Sequence, residues 1–249
     1  MDIDSHIAAL RLAGSRLSYV AAAADLDADV PSCPGWTMRD LVRHVGGIHR
    51  WATRYVGEAR VEVIDEDLDE LVGGWPPDQE LLAWFAKGHR KLVATLAGAP
   101  AELECFTFLE APSPLAMWAR RQAHETSIHR LDAELACAAT TGFAAELAVD
   151  GIDELLTAFI TRPGRGPRAD LPTSLAVMPT DDGARWIVRF DADGCRTERV
   201  AADADATVSG SASDLYMWVW NRPSIGEVVA TGNASVLESW RDTVHVRWG

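Results

Sequence analysis

Basic residues are scarce in this chain. Lysine and arginine total 23 against 37 aspartates and glutamates, for a formal net charge of −14. A protein that grips nucleic acid needs a basic face for the phosphates, so no nucleic-acid partner is expected. The surplus of acid reads instead as a well-solvated, mutually repelling surface. Long apolar runs are missing too, and none reaches the roughly 20 residues of a membrane span. The opening Met1-Asp2-Ile3-Asp4-Ser5-His6 is too polar for a signal peptide, so a cytoplasmic location with no membrane contact is expected. Cysteine is thinly spread, at Cys33, Cys105, Cys137 and Cys195, with no Cys-x-x-Cys pair. That excludes a zinc knuckle and argues against a disulfide framework. Cys33 stands just before a helix start, where a thiolate is favoured; its plainer reading is a small residue in a loop. Internal repeats and low-complexity tracts are absent. Abundant alanine and arginine with little lysine point to a GC-rich genome.

What is present is apolar material in two different rhythms. Hydrophobic residues make up 48% of the 249, enough for one large core or two small ones. In the first two-thirds they recur at helical intervals. Ile3, Ile7, Leu10, Ala13, Leu17 and Val20 mark one amphipathic helix. After the break Pro31-Ser32-Cys33-Pro34-Gly35, Thr37 can cap a second, with Asp40 in its first turn. Gly73-Gly74-Trp75-Pro76-Pro77-Asp78 breaks the chain again, with a cap expected at its end before a helix through Leu81, Leu82, Phe85 and Leu92. Ala111-Pro112-Ser113-Pro114 opens a fourth helix, and a further one is expected over 144–160. Four main helices, all amphipathic, imply a bundle.

Past the linker-like stretch from Arg162 to Pro172 the rhythm changes. Short strands are expected at 173–178, 185–190, 197–200 and 206–210, with Asp191-Ala192-Asp193-Gly194 as a hairpin turn. Helices are expected at 213–220, capped by Ser211 or Ser213, and at 233–240, with a closing strand at 244–248. The fold class is therefore α+β: a helical bundle over 1–162 and a small α+β domain over 172–249.

Two stretches of the helical part carry chemistry. One is Trp36-Thr37-Met38-Arg39-Asp40-Leu41-Val42-Arg43-His44-Val45-Gly46-Gly47-Ile48-His49. The other, Arg120-Arg121-Gln122-Ala123-His124-Glu125-Thr126-Ser127-Ile128-His129-Arg130, contains Glu-x-x-x-His. Residues four apart share a helix face, so Glu125 and His129 can hold one metal together. A third ligand from another helix would make a two-histidine, one-carboxylate set that leaves a position open for chemistry. His44 and His49 are about 140° apart around a helix, so both cannot serve. Leu41, Val45, Ile48 and Ala52 mark the inward stripe. His44 falls at its edge, whereas His49 is turned toward the surface, which favours His44. From spacing alone this reading and that of a core histidine bonded to a carbonyl are evenly matched. His124 lies about 100° from Glu125 and is left out. A buried Glu125 without a partner would be costly, and a metal removes that cost; pairing with Arg121 one turn earlier is the alternative. Asp132 can orient a ligand from behind or simply be solvated.

At these residues the chain resembles the mycothiol-dependent maleylpyruvate isomerase family of actinobacteria, within the DinB-like metal-binding helical bundles. The matching pieces run from Cys33 to Val45 and from Trp118 to Glu134. The family's zinc ligands, one histidine and then Glu-x-x-x-His, fall on His44, Glu125 and His129. The tail resembles the family's C-terminal domain through the stretch from Val208 to Arg222 and through Gly232-Asn233-Ala234-Ser235-Val236-Leu237. That domain is an α+β module similar to sterol carrier proteins. The resemblance implies a zinc-dependent, thiol-using isomerase or S-transferase for a small electrophilic substrate, with mycothiol as the thiol and zinc or another divalent ion as the metal. A monomer or homodimer is expected, a choice the sequence leaves open. Arg222, at the end of an apolar helix, can anchor an anionic substrate group or serve only as a cation at a helix C-terminus. Two other readings fit the same residues. One is a zinc-dependent hydrolase that activates water. The other is a non-catalytic module in which the metal is structural and the apolar stretch from Tyr216 to Trp220 holds a small ligand.

Overall fold

In the computed structural model, residues 1–244 are described. The chain divides into two compact units, Met1–Thr141 and the part from Gly142 on. The first unit is a bundle of four long helices: α1 (Ile3–Ala23), α2 (Met38–Gly57), α4 (Asp78–Gly98) and α5 (Pro114–Ala136), with the one-turn α3 (Leu68–Val72) between α2 and α4. α5 packs mainly on α1 and α2, and α4 closes against α2 and α1.

Local chemistry fixes the ends of the two site-bearing helices. Thr37 accepts from the Asp40 amide while Asp40 accepts from the Thr37 amide, a reciprocal cap that starts α2 at Met38. Ser113 accepts from the Ala116 amide, with Pro114 pre-set in the first turn of α5. The start of α4 departs from the expected cap. Pro77 occupies the capping position without a side-chain bond. Asp78 is the first helical residue, and its carboxylate instead takes Arg39 Nε and Nη2 at 2.8 and 2.9 Å.

Leu41, Val42 and Val45 of α2 pack with Leu17, Val20, Leu81, Phe85 and Ala133 in a continuous core. Each of these larger side chains, Ala133 aside, contributes about 1.5–3 kcal/mol when fully buried. α2 and α4 interlock closely because Gly46 has no side chain: a Cβ there would run into the Trp84 ring. α5 is not amphipathic, contrary to expectation. From Met117 to Glu134 every residue except Arg120 is buried, charged ones included. A helix enclosed on all sides must pair its polar groups internally, and this enclosure makes the α5 side chains chemically informative.

The second unit begins earlier than expected. The helix expected over 144–160 exists, as α6 (Ala145–Glu154) continued by a π-helical turn, Leu155–Phe159. It packs against α7 of the second unit rather than completing the bundle. The division therefore falls between Thr141 and Gly142, not at 162. A five-stranded sheet follows: β1 (Thr173–Pro179), β2 (Trp186–Phe190), β3 (Cys195–Glu198), β4 (Ala206–Gly210) and β5 (Val229–Gly232), in the order β3-β2-β1-β4-β5. β1 and β4 run parallel and the other neighbours antiparallel. The Asp191–Gly194 turn forms, with the Asp191 carboxylate accepting from the Asp193 amide at 2.9 Å. α7 (Ala212–Val219) is capped by Ser211, and α8 (Ala234–Thr243) by Asn233. β5 was not expected, because all four of its residues are exposed and carry no alternation. The closing strand expected at 244–248 lies almost wholly outside the described residues.

Candidate metal centre

α2 and α5 bring His44, Glu125 and His129 together. One carboxylate oxygen, Glu125 Oε1, lies 3.2 Å from His44 Nε2 and 3.2 Å from His129 Nε2. Tetrahedral sites with metal–ligand bonds of 2.0–2.1 Å separate their donors by about 3.3 Å. Two of the three donor separations thus already match coordination spacing, and all three ligand atoms lie within 4.8 Å of one another. The second oxygen, Oε2, accepts from Arg121 Nη2 at 3.3 Å. Glu125 thus divides its two oxygens: Oε1 faces the histidines and Oε2 faces Arg121. This division favours binding a cation through Oε1 alone.

Behind His129 stands a second set of contacts. Its Nδ1 donates to Asp132 Oδ2 at 2.9 Å, which aims Nε2 at the site. Asp132 is fully buried and is held in turn by the loop ahead of α2. Ser32 Oγ donates to Oδ1 at 2.6 Å, and Cys33 Sγ donates to Oδ2 at 3.4 Å. Trp36, at the end of that loop, stacks on His129 with centroids 6.1 Å apart and tilts over His44 at 4.8 Å. Ser32, Cys33 and Trp36 were not expected at the site. Their shared signal was the Pro31–Gly35 break directly before the His44 helix, which read only as a loop.

The electrostatics follow from this geometry. Burial on its own would raise the Glu125 carboxyl, but the His129 charge, hydrogen bonds from both histidines and the Arg121 charge hold it well below the usual range. Burial opposes protonation of His129, yet Glu125 and Asp132 outweigh it and hold that ring well above its ordinary value. Burial dominates at His44 and lowers it. The two carboxylates thus favour positive charge at His129, in the place where a cation would sit. A divalent ion fits this donor set: two imidazole nitrogens and a carboxylate oxygen, converging, with Asp132 orienting one ring and Arg121 fixing the carboxylate.

The remaining histidines are placed differently. His49 is fully buried, not turned toward the surface as expected. α4 covers that side of α2, so the inward face is wider than its aliphatic stripe. His49 Nε2 pairs with Thr126 Oγ1 at 2.9 Å, and its ring lies 5.5 Å from that of His89. His124, also buried, packs edge-on to His6 at 5.9 Å. Neither joins the Glu125 cluster. Arg222 follows α7 in the second unit, and its Nη1 donates to the Trp220 carbonyl at 2.8 Å.

A four-helix bundle with a two-histidine, one-carboxylate cluster, joined to a small α+β module, defines a helical-bundle protein with a candidate metal site. Family comparison narrows this. Residues 8–134 match the mycothiol maleylpyruvate isomerase N-terminal domain, and residues 146–239 match the C-terminal domain of the same family. The chain belongs to the mycothiol maleylpyruvate isomerase family. Among solved structures it is similar to a crystal structure of the mycothiol-dependent maleylpyruvate isomerase, with 16% identity, a TM-score of 0.67 and 93% of each chain covered. A crystal structure of a histidine-to-alanine variant of that isomerase matches equally, with a TM-score of 0.66, 16% identity and 93% coverage of each chain. At that identity the likeness establishes a shared fold. No match was found among curated proteins. Among the described residues, no helix is long and apolar enough to cross a membrane.

Proposed function

We propose that the chain is a metal-dependent, thiol-using isomerase or S-transferase acting on a small electrophilic substrate, with mycothiol as the thiol. The observation that supports it most is the convergence of His44 Nε2 and His129 Nε2 on the single oxygen Oε1 of Glu125. Zinc or another divalent ion is the proposed occupant. When bound, it would supply Lewis acidity and favour the thiolate form of a coordinated thiol.

The chain's own residues do the rest. His44, Glu125 and His129 supply three protein donors, which leaves a fourth position for an exogenous ligand. Asp132 holds the Nδ1 proton of His129 and so keeps Nε2 available. Arg121 occupies Oε2 and discourages two-oxygen coordination. Trp36 covers both histidine rings and reduces water access on that side. Arg222 remains a separate proposal as an anchor for an anionic substrate group. Its bond to the Trp220 carbonyl supports a helix-terminus role beside that one.

Calorimetry with mycothiol on zinc-loaded protein tests the thiol. Saturable heat with the wild type, abolished when zinc is removed, is expected. No heat at millimolar mycothiol would reject the thiol-using reading. Turnover of an ester or amide without any thiol would point to hydrolysis instead.

A further inference from the structure

His129 has two ring nitrogens, and the proposed function uses only one. The other side of the ring holds a complete second donor set. Cys33, His129 and Asp132 each place one ligand atom within 4.8 Å of the other two. We propose that Cys33 Sγ, Asp132 Oδ2 and His129 Nδ1 form a second cation site, for a soft, thiophilic ion such as cadmium(II), sharing the His129 ring with the first.

Three features carry this. First, the spacing is already close to that of coordinated donors. Asp132 Oδ2 lies 2.9 Å from Nδ1 and 3.4 Å from Sγ, and all three atoms lie within 4.8 Å of one another; donors on zinc stand about 3.3–3.8 Å apart, and the larger cadmium ion would spread them a little further. Second, Asp132 is oriented for it. Ser32 Oγ occupies Oδ1 at 2.6 Å, so Oδ2 is the oxygen presented to both Sγ and Nδ1. Third, the donor chemistry differs from the first site. One thiol, one imidazole nitrogen and one carboxylate oxygen favour softer ions than two imidazoles and a carboxylate do. Cys33 is only half-buried, which gives an ion a way in. The ring could then bridge two ions, one on each nitrogen.

The step balances without any redox partner. The Cys33 S–H bond breaks as Sγ bonds to the ion, and the Nδ1–H bond breaks as the ring nitrogen does. Both protons leave to solvent, and no electrons are transferred. Asp132 Oδ2 exchanges two hydrogen bonds for one bond to the ion. Occupation of this site would remove the hydrogen bond that orients His129. A thiophilic ion would therefore weaken the first site by disturbing His129 rather than by competing for its Nε2.

Cadmium(II) titration of the full chain tests this, read by sulfur-to-metal charge-transfer absorption and by counting bound ions. The wild type should show the charge-transfer band. His44→Ala, which damages only the first site, should keep it. Cys33→Ser should lose the band and bind one ion fewer, with Cys33→Ala as a second variant should the serine protein fold poorly. Asp132→Asn should weaken the band-forming affinity about 10-fold. No band in the wild type would overturn the proposal, as would a band unchanged in both Cys33 variants. Failure of the first site would appear separately, as wild-type protein that binds no zinc while the cadmium band persists.

Discussion

Two pairs of buried histidines lie in the same bundle and differ in what faces them. His44 and His129 converge on Glu125, with Asp132 behind. His49 and His89 lie 5.5 Å apart with neutral partners, the Thr126 hydroxyl and the Leu10 carbonyl. Burial pushes His49 well below its ordinary value and lowers His89. Burial acts on His129 as well, but two carboxylates reverse the outcome. Histidine density alone therefore does not make a metal centre. Carboxylates aimed at the ring nitrogens are what set the candidate site apart, because they supply negative charge that favours a cation.

The largest expected effect comes from removing the charge that separates the two pairs. Glu125→Ala strips an anionic donor and leaves the buried Arg121 facing an empty space. Breaking a buried pair in this way costs about 3–5 kcal/mol. Urea unfolding should show that loss, together with absent zinc. Stability within 1 kcal/mol of wild type, on the order of a typical surface change, would mean that Glu125 is not the hub.

Asp132→Asn comes next. It keeps the shape but can turn an amide donor toward Nδ1. Zinc affinity should fall about 10–100-fold, as for other residues that orient a metal-bound histidine. Competition with a chelator measures it, and His89→Asn should leave zinc affinity unchanged by the same assay.

Gly14→Ala probes the neutral pair. A Cβ at Gly14 would run into the His89 ring, so the ring must move from its bond to the Leu10 carbonyl. Overpacking of this kind costs about 1–3 kcal/mol. Thermal unfolding should show the cost while zinc stoichiometry stays at the wild-type value.

The smallest effect is a pH slope. His49 is held neutral when folded but titrates near 6.5 when unfolded. Below that pH the unfolded chain binds a proton that the folded chain refuses, so stability falls as pH falls from about 6.5. The slope approaches about 1.4 kcal/mol per pH unit. His49→Gln should flatten the stability–pH curve between pH 6.5 and 5 by that amount. An unchanged slope would mean that His49 does not stay neutral in the fold.

Much of this was legible in the sequence, and the failures share a cause. The helices and four of the five strands follow from periodicity and caps, and the Glu-x-x-x-His spacing puts Glu125 and His129 on one face; His44 as the third candidate rests on the family resemblance, since spacing alone leaves it even with a core histidine. Periodicity reports how a segment is patterned, not which neighbour covers it. The helix at 145–154 looked like a bundle member but packs in the second unit. His49 read as outward because the aliphatic stripe is narrower than the face that α4 covers. β5 carries no pattern, because pairing with β4 holds it rather than burial. Ser32, Cys33 and Trp36 reach the site through a loop, and no helical angle can place loop residues.

The central claim is that His44, Glu125 and His129 hold one ion together. Zinc content of the purified protein, compared between wild type and His44→Ala, tests it most directly. One zinc per chain in the wild type and none in the variant is the expected result. Equal zinc in the two proteins would contradict it.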